Sequence, residues 1–396
     1  MNISIPDNVM TALEILGKNG YSAYAVGGCV RDSLLGNKPD DWDICTSALP
    51  EQTAECFADY RVIPTGVKHG TITVIIEKPL EITTFRIDGD YLDNRRPNEV
   101  LFTRKLEDDL CRRDFTVNAM ALSASGEITD LYGGRKDLEA KLIRCVGCAE
   151  TRFDEDALRI MRALRFASVL GFEIESETAK AIRLKKHLLR NIAAERIVKE
   201  FTKLLCGGCT EILREYADVI KIFLPLGDFA EDTLSFIKKS PADPLLKLSI
   251  LLAKSTPEEA EKMLRELKYD NRTLKHVTLM LGTKKMALSN SIPQVKRLIN
   301  RFGEEAVSVA DFHLHTGKIT PEIHKSITET IDGIIANGEC CTLSKLAVKG
   351  SDIAALGIFP QNKIGKVLFS LLEKVMDGEC ENDKNSLIKL AENLNY

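Results

Sequence analysis

The chain has 396 residues, 44% of them hydrophobic and 28% charged, and its 54 Lys and Arg against 58 Asp and Glu leave a net charge of −4. That length gives room for two or three domains with real cores, and no apolar run approaches the ~18 residues a membrane-spanning helix needs. A protein that coats polyanions over its whole surface is excluded by the charge balance, so any contact with nucleic acid must be local.

In chain order, MNISIPDNVMTALEILGKNG has no basic stretch leading into an apolar one, and predicts an amphipathic helix rather than a secretion signal. A cytoplasmic location is expected. The runs SAYAVGG, DWDICT, GTITVIIE and LEITTFR alternate or are β-branched, with a hairpin turn predicted at Lys78-Pro79. Beyond about residue 150 apolar residues recur at helical spacing, as at Leu158, Met161 and Leu164, then Ile192, Ile197, Phe201, Leu204 and Leu205. The expected fold class is α+β: a head with a mixed sheet, then an almost wholly helical remainder, with breaks near Gly147, Cys206-Gly-Gly-Cys209, Pro225, Pro241 to Pro244 and Gly338. No repeat or low-complexity tract interrupts it. The two CxxC pairs, Cys145/Cys148 and Cys206/Cys209, lie about sixty residues apart against roughly 15–20 in a zinc ribbon, so a structural zinc is not expected.

The chemistry-bearing residues begin at Val26-Gly27-Gly28-Cys29-Val30-Arg31-Asp32, where two glycines between a strand and a helix let backbone approach a phosphate beside Arg31. A simple strand-to-helix turn explains these seven residues equally well. Asp40-Asp41-Trp42-Asp43-Ile44 breaks the tie: in an extended segment Asp41 and Asp43 share a face while Trp42 and Ile44 turn to the core. Two carboxylates with no adjacent cation call for a hard cation, and Mg²⁺ shared with substrate phosphates fits. Glu81, opening Glu81-Ile-Thr-Thr-Phe-Arg86, reaches the same site if the two strands pair. Together these are the parts for nucleotidyl transfer by in-line attack at an α-phosphorus, with one metal activating a hydroxyl and a second stabilising pyrophosphate.

Arg112-Arg113-Asp114-Phe115-Thr116-Val117-Asn118 adds two guanidiniums for a triphosphate, and a carboxylate and an amide for ribose hydroxyls; by itself it would equally make a surface ion-pair knot. In Arg152-Phe153-Asp154-Glu155-Asp156-Ala157-Leu158-Arg159, Asp156 and Arg159 are expected as i,i+3 neighbours on one helix, with Arg162 and Arg165 continuing the stripe. Such a stripe is ordinarily a salt-bridged surface. An acceptor beside a forked donor, however, matches the amino and ring-nitrogen edge shared by C and A, and mismatches U and G.

These segments, with DLYGGRKDL and AAERIVKE, follow the order and spacing of the class II tRNA nucleotidyltransferases, the CCA-adding enzymes with their bacterial poly(A) polymerase relatives, and the resemblance covers nearly the whole chain. It implies a polymerase-β-like head at 1–146, a neck carrying base recognition at 147–206, a helical body at 207–325 and a tRNA-contacting tail at 326–396. It implies that Asp41 and Asp43 bind Mg²⁺, that Gly28 and Arg31 hold the triphosphate, and that Arg113 and Asp114 fix phosphate and ribose. Asp156 and Arg159 would act as an amino-acid template for CTP and ATP, with Arg162 and Arg165 lining the pocket and Glu195 and Arg196 supporting the template helix. The implied partners are tRNA, ATP and CTP, with no DNA and no membrane.

VKGSDIAALGIFPQNKIGKVL resembles the tail of Bacillus-type enzymes, although Gln361 stands where that tail often has Gly and Cys148 where the family more often has Asp. Arg183, Lys185, Lys186, Arg190, Lys199 and Lys203 form a basic cluster suited to an acceptor stem. None of the six histidines precedes Asp, which excludes an attached HD phosphohydrolase domain. Rival readings are A-only addition, CC-only addition, a poly(A) polymerase and a catalytically silent tRNA-binding module. The segment Asp88-Gly-Asp-Tyr91-Leu-Asp93-Asn-Arg95-Arg96-Pro97 resembles the loop of enzymes that add the final A, against CC-only addition.

Overall fold

The computed structural model describes residues 3–89, 100–227 and 229–394, so the loop expected to mark A addition lies almost wholly outside the described residues. The chain divides into two compact units, Met1–Phe229 with Glu266–Tyr269, and Ala230–Arg265 with Asp270–Tyr396. The expected boundaries at 146/147 and 206/207 both fall inside the first unit.

That unit opens with the amphipathic helix α1 (Asp7–Lys18), which buries Val9, Ala12, Leu13 and Leu16. Its elements continue as β1 (Ala23–Val26), α2 (Gly28–Leu34), β2 (Asp43–Thr46), α3 (Pro50–Cys56), β3 (Arg61–Gly66), β4 (Thr71–Ile76), β5 (Lys78–Thr84), β6 (Arg86–Asp88), β7 (Val100–Phe102), α4 (Leu106–Cys111), β8 (Met120–Leu122) and β9 (Ile128–Asp130). Seven strands form one mixed sheet in the order β3-β4-β5-β2-β1-β8-β9, and β6 pairs with β7 in a separate ribbon. All neighbours in the large sheet run antiparallel except β2 and β5, which are parallel. The predicted turn at Lys78-Pro79 is displaced by one residue. Ile76 already pairs with Lys78 and Ile75 with Pro79, so the chain reverses at Glu77 alone, whose φ of 59° is left-handed. One sheet face buries Val26, Cys45 and Ala121 with Phe85 against Leu106 and Leu110 of α4.

The unit continues through α5 (Gly134–Glu139), β10 (Leu142–Ile143), α6 (Ala149–Glu155), α7 (Leu158–Leu170), β11 (Glu173–Ile174), α8 (Ser176–Lys185) and α9 (Ala194–Cys206). Helices α7 and α9 pack side by side. At Gly207, just past α9, a Cβ would come within 2.2 Å of Ser168 Oγ and 2.8 Å of the Ser168 backbone, so the chain leaves α9 in closest contact with α7. In this way the helical spacing seen in the sequence becomes a rigid pair beneath the sheet domain's last strands.

The second unit is helical throughout its described residues. The helix Pro321–Ala336 runs unbroken through the expected body–tail division at 325/326, and the break comes instead at Gly338, with φ of 65°. Beyond it Cys340, Leu346, Val348, Ile353, Val367, Leu371, Leu372, Val375, Met376, Leu387 and Ala391 form a core of their own. Among the described residues no helix is long and apolar enough to cross a membrane.

Candidate active site

Strand β2 sits between β1 and β5, and its first residue joins the two: Val26 pairs with Asp43, and Asp43 pairs with Glu81. Directly paired residues project to the same sheet face, so the Asp43 and Glu81 carboxylates are neighbours on adjacent strands. Asp41 lies two residues upstream in the segment leading into β2. Ile44 is buried as expected, whereas Trp42 is only half-buried. The Asp43 carboxyl is pushed above its ordinary value, first by loss of water around it and then by Glu81, with Arg113 pulling it down and Asp41 adding to the rise. No described residue forms an ion pair with Asp41, Asp43 or Glu81.

This donor set fits a hard divalent cation, because concentrated, uncompensated carboxylate oxygen is what such an ion offsets. Among the described residues no three His, Cys, Asp or Glu are placed to enclose a metal. Two carboxylates therefore leave coordination positions for water and substrate oxygens, the usual arrangement for an ion shared with phosphates.

The glycine turn lies one strand away. Gly27 has φ of 81°, and a Cβ there would sit 3.1 Å from Arg113 Nη1; a Cβ on Gly28 would sit 3.5 Å from Arg31 Nη2. Two guanidiniums thus lie over the turn at the start of α2. Arg31 is fixed by Asp32, with Nε–Oδ1 2.8 Å and Nη2–Oδ2 2.9 Å, and donates from Nη1 to Asn118 Oδ1 at 2.6 Å. Arg113 and Arg112 both bond the fully buried Asp109, at 3.0 and 2.6 Å. Burial opposes the Asp109 charge, but the two guanidiniums outweigh it and hold the carboxyl below its ordinary value.

Asn118 is not placed to meet a ribose: it is buried, and its amide bridges Arg31 and Asp114, donating from Nδ2 to Asp114 Oδ1 at 3.2 Å. Asp114 also accepts from the Phe115 N–H at 2.8 Å and from Arg162 Nε at 2.7 Å, so protein groups occupy both carboxylate oxygens. Arg162 and the charge-assisted bonds carry the Asp114 carboxyl below its ordinary value despite burial.

The template residues correct one expectation. Asp156 and Arg159 do not share a helix: α6 ends at Glu155, Asp156 is extended (φ −136°, ψ 101°), and α7 begins at Leu158. The Asp156 side chain caps the new helix, accepting from the Leu158 N–H at 3.0 Å, because a short carboxylate competes well for free N–H groups at a helix start. Its other oxygen takes Arg196 Nη2 at 3.0 Å, while Glu195 pairs with Lys268 at 3.0 Å. Arg159 pairs with Glu155 and donates to the carbonyls of Arg152 at 3.1 Å and Arg112 at 2.9 Å. Arg165 meets Glu200 at 2.6 Å. The ring of Phe166 lies beneath three guanidiniums, with Arg165, Arg31 and Arg162 at 3.9, 5.1 and 5.4 Å from its centroid. Buried Nε groups of Arg113 and Arg152 and Nη1 of Arg196 have no hydrogen-bond partner among the described residues, while Arg165 Nε lies against Glu200 Oε2 as an ion pair.

Sequence reasoning passed over Asp109, Glu155, Phe166 and Glu200. Asp109 carried a usable signal, an acidic residue three and four positions before paired arginines; Phe166 and Glu200 carried none, since only the packing of α7 on α9 and α2 brings them in. In the basic cluster, Lys185 pairs with Asp154, and Arg183 and Lys186 with Asp218, leaving Arg190, Lys199 and Lys203 exposed and without an ion pair among the described residues.

Family models match three stretches: the poly A polymerase head domain at 23–144, an RNA-binding site of polymerase A at 171–223, and tRNA nucleotidyltransferase domain 2 at 245–391. The fold and site define a nucleotidyltransferase of the poly(A) polymerase and tRNA nucleotidyltransferase class. A CCA-adding enzyme of Leuconostoc mesenteroides is 36% identical over 98% of this chain and 97% of its own, and one of Bacillus cytotoxicus is 41% identical over 68% and 69%. The crystal structure of the Bacillus stearothermophilus CCA-adding enzyme in complex with CTP superposes with a TM-score of 0.78 at 30% identity, covering 98% of both chains. The chain belongs to the family of CCA-adding enzymes.

Proposed function

We infer that this protein adds C, C and A to the 3′ end of tRNA from CTP and ATP, without a nucleic-acid template, in the cytoplasm. The observation that carries the reading is one rung of the sheet: Asp43 stands between the β1 strand that feeds the Gly27-Gly28 turn and the β5 strand that presents Glu81. Carboxylates for a cation and backbone for a triphosphate are thereby set side by side.

Asp41 and Asp43 would hold Mg²⁺, with Glu81 strengthening the negative field beside Asp43. When bound, the ion supplies Lewis acidity toward the 3′ hydroxyl and the phosphate oxygens. Gly27 and Gly28 let the triphosphate approach the start of α2, and Arg31 and Arg113, held from behind by Asp32 and Asp109, face its charge. The 3′ hydroxyl of the tRNA attacks the α-phosphorus, its proton leaves to water, and pyrophosphate departs; fixed guanidiniums stabilise the charge that shifts toward the leaving group. Asp156 and Arg159 present an acceptor and donors to the base edge, with Asp156 held by Arg196 and Arg159 by Glu155. Asp114 works one layer back, holding Arg162. Arg190, Lys199 and Lys203 are the cations left free to follow the acceptor stem.

The test supplies the purified protein with Mg²⁺, CTP and ATP, separately and together, and three tRNA transcripts ending at the discriminator base, at C and at CC. All three should grow to CCA and stop. Extension of only the CC form by one A would overturn the reading for A-only addition, long A tails for a poly(A) polymerase, and no extension for a binding module.

A further inference from the structure

The structure assigns to Asn118 a positioning role: through it, the state of the base pocket at Asp114 and Arg162 sets the grip of Arg31 on the triphosphate, so that a wrong base weakens phosphate binding as well as base binding. This rests on the proposed function and names how that site couples its two halves.

The connection is an unbroken chain of polar contacts, buried from Arg31 to Asp114 and reaching solvent at Arg162, whose side chain is 34% exposed. Arg31 Nη1 donates to Asn118 Oδ1 at 2.6 Å, Asn118 Nδ2 donates to Asp114 Oδ1 at 3.2 Å, and Arg162 Nε donates to Asp114 Oδ2 at 2.7 Å. Arg31, Asn118 and Asp114 are 8%, 6% and 8% exposed, so water does not stand in for a missing link. The chemistry of the linker is specific. It must accept from a guanidinium, which has only donors, and donate to a carboxylate, which has only acceptors; a side-chain amide does both at once in one fixed orientation. A carboxylate in its place would accept from Arg31 but repel Asp114. Phe166 makes a second bond between the halves, since its ring lies under Arg31 and Arg162 together.

A mismatched base beside Asp156 and Arg159 would compete with Asp114 for the guanidinium of Arg162 and relax its hold on Asp114. In low-dielectric surroundings the loss passes to Asn118 and from there to Arg31. Discrimination between CTP and UTP would thus exceed what base-edge contacts alone supply.

The experiment compares the parent with Asn118→Ala and Asn118→Asp on tRNA ending at the discriminator base, measuring kcat and KM for CTP and for UTP and the inhibition constant of tripolyphosphate. The CTP/UTP ratio of kcat/KM should fall by about tenfold in both variants, chiefly through a smaller KM difference. A role in folding alone would lower both efficiencies by one factor and leave the ratio unchanged, which would overturn the proposal. In a second measurement, Arg31→Lys and Arg162→Lys should be non-additive in the parent and closer to additive in the Asn118→Ala background, the remainder passing through Phe166; equal coupling in both backgrounds, or additivity in both, would also overturn it. An inactive parent would fail the functional reading itself, whereas an active parent with an unmoved ratio fails only the coupling.

Discussion

Asp43 and Glu81 face each other across the only parallel pairing in the large sheet, thirty-eight positions apart in sequence yet on one rung. Their proximity is written into the Asp43 carboxyl, which Glu81 helps push above its ordinary value. The two carboxylates should nonetheless differ in weight. Asp43→Asn, and Asp41→Asn with it, should cut nucleotide incorporation by roughly a thousandfold while tRNA binding by filter retention stays within a factor of three. Glu81→Gln, which keeps Asp41 and Asp43, should lose no more than about tenfold. Equal losses at Glu81 and Asp43 would place Glu81 among the direct ligands.

Gly27→Ala meets two obstacles at once. A left-handed φ costs a residue with a Cβ about 1–2 kcal/mol, and the new methyl would press on Arg113 Nη1. The variant should melt a few degrees lower and show a raised KM for CTP and ATP alike, with the CTP/UTP ratio unchanged. An unchanged KM would mean Arg113 is not part of the triphosphate contact.

Asp109 should be one source of acid sensitivity, beside Asp114. Its carboxyl is depressed in the folded protein, so the stability it contributes is complete above the ordinary carboxylate pKa of about 4 and is lost as pH falls through the depressed value. Asp109→Asn should cost about 3 kcal/mol at pH 7, because two half-buried guanidiniums lose their counter-ion, and the gap to the parent should narrow below about pH 4. Urea unfolding at pH 7 and pH 3.5 reads this directly. A gap of constant size would assign the cost to packing instead.

The thiols divide by environment. Burial pushes Cys29 up to about 11, Cys145 up to about 12 and Cys45 well above its usual value, whereas hydrogen bonds from the N–H and hydroxyl of Thr151 and the N–H of Glu150 at the start of α6 lower the exposed Cys148. Since the thiolate is the nucleophile, iodoacetamide at pH 7.5 should alkylate Cys148 at least tenfold faster than Cys29, Cys45 or Cys145. Peptide mapping over a time course decides it.

Residues read correctly from the sequence were those whose meaning is local. The Gly27-Gly28 turn and the switch to helical periodicity each need only a few consecutive side chains, and each stands in the structure, whereas the strand expected through Asp41 begins only at Asp43. Glu81 was legible only on condition that β2 and β5 pair, because strand order is a long-range property. The helix drawn through Asp156 failed for a local reason that periodicity does not see: a carboxylate that caps a helix start ends the one before it. Asn118 misled because its side chain suits a ribose as well as a guanidinium, and only the fold chooses between them.

The contacts Arg31–Asn118, Asp114–Arg162 and Asp156–Arg196 span 87, 48 and 40 residues, and each later partner closes what an earlier one leaves open. During synthesis the glycine turn and the carboxylate pair emerge first, but Arg31 gains Asn118 only after six further strands, β2 to β7, have been made, and the capping Asp156 gains Arg196 only when α9 begins. A ribosome-bound chain stopped before Arg162 would therefore carry Asp41, Asp43 and Glu81 but not the partners of Asp114 and Asp156 on α7 and α9. The contacts around Asp156 and Arg165 are complete only once α9, which carries Arg196 and Glu200, has been made.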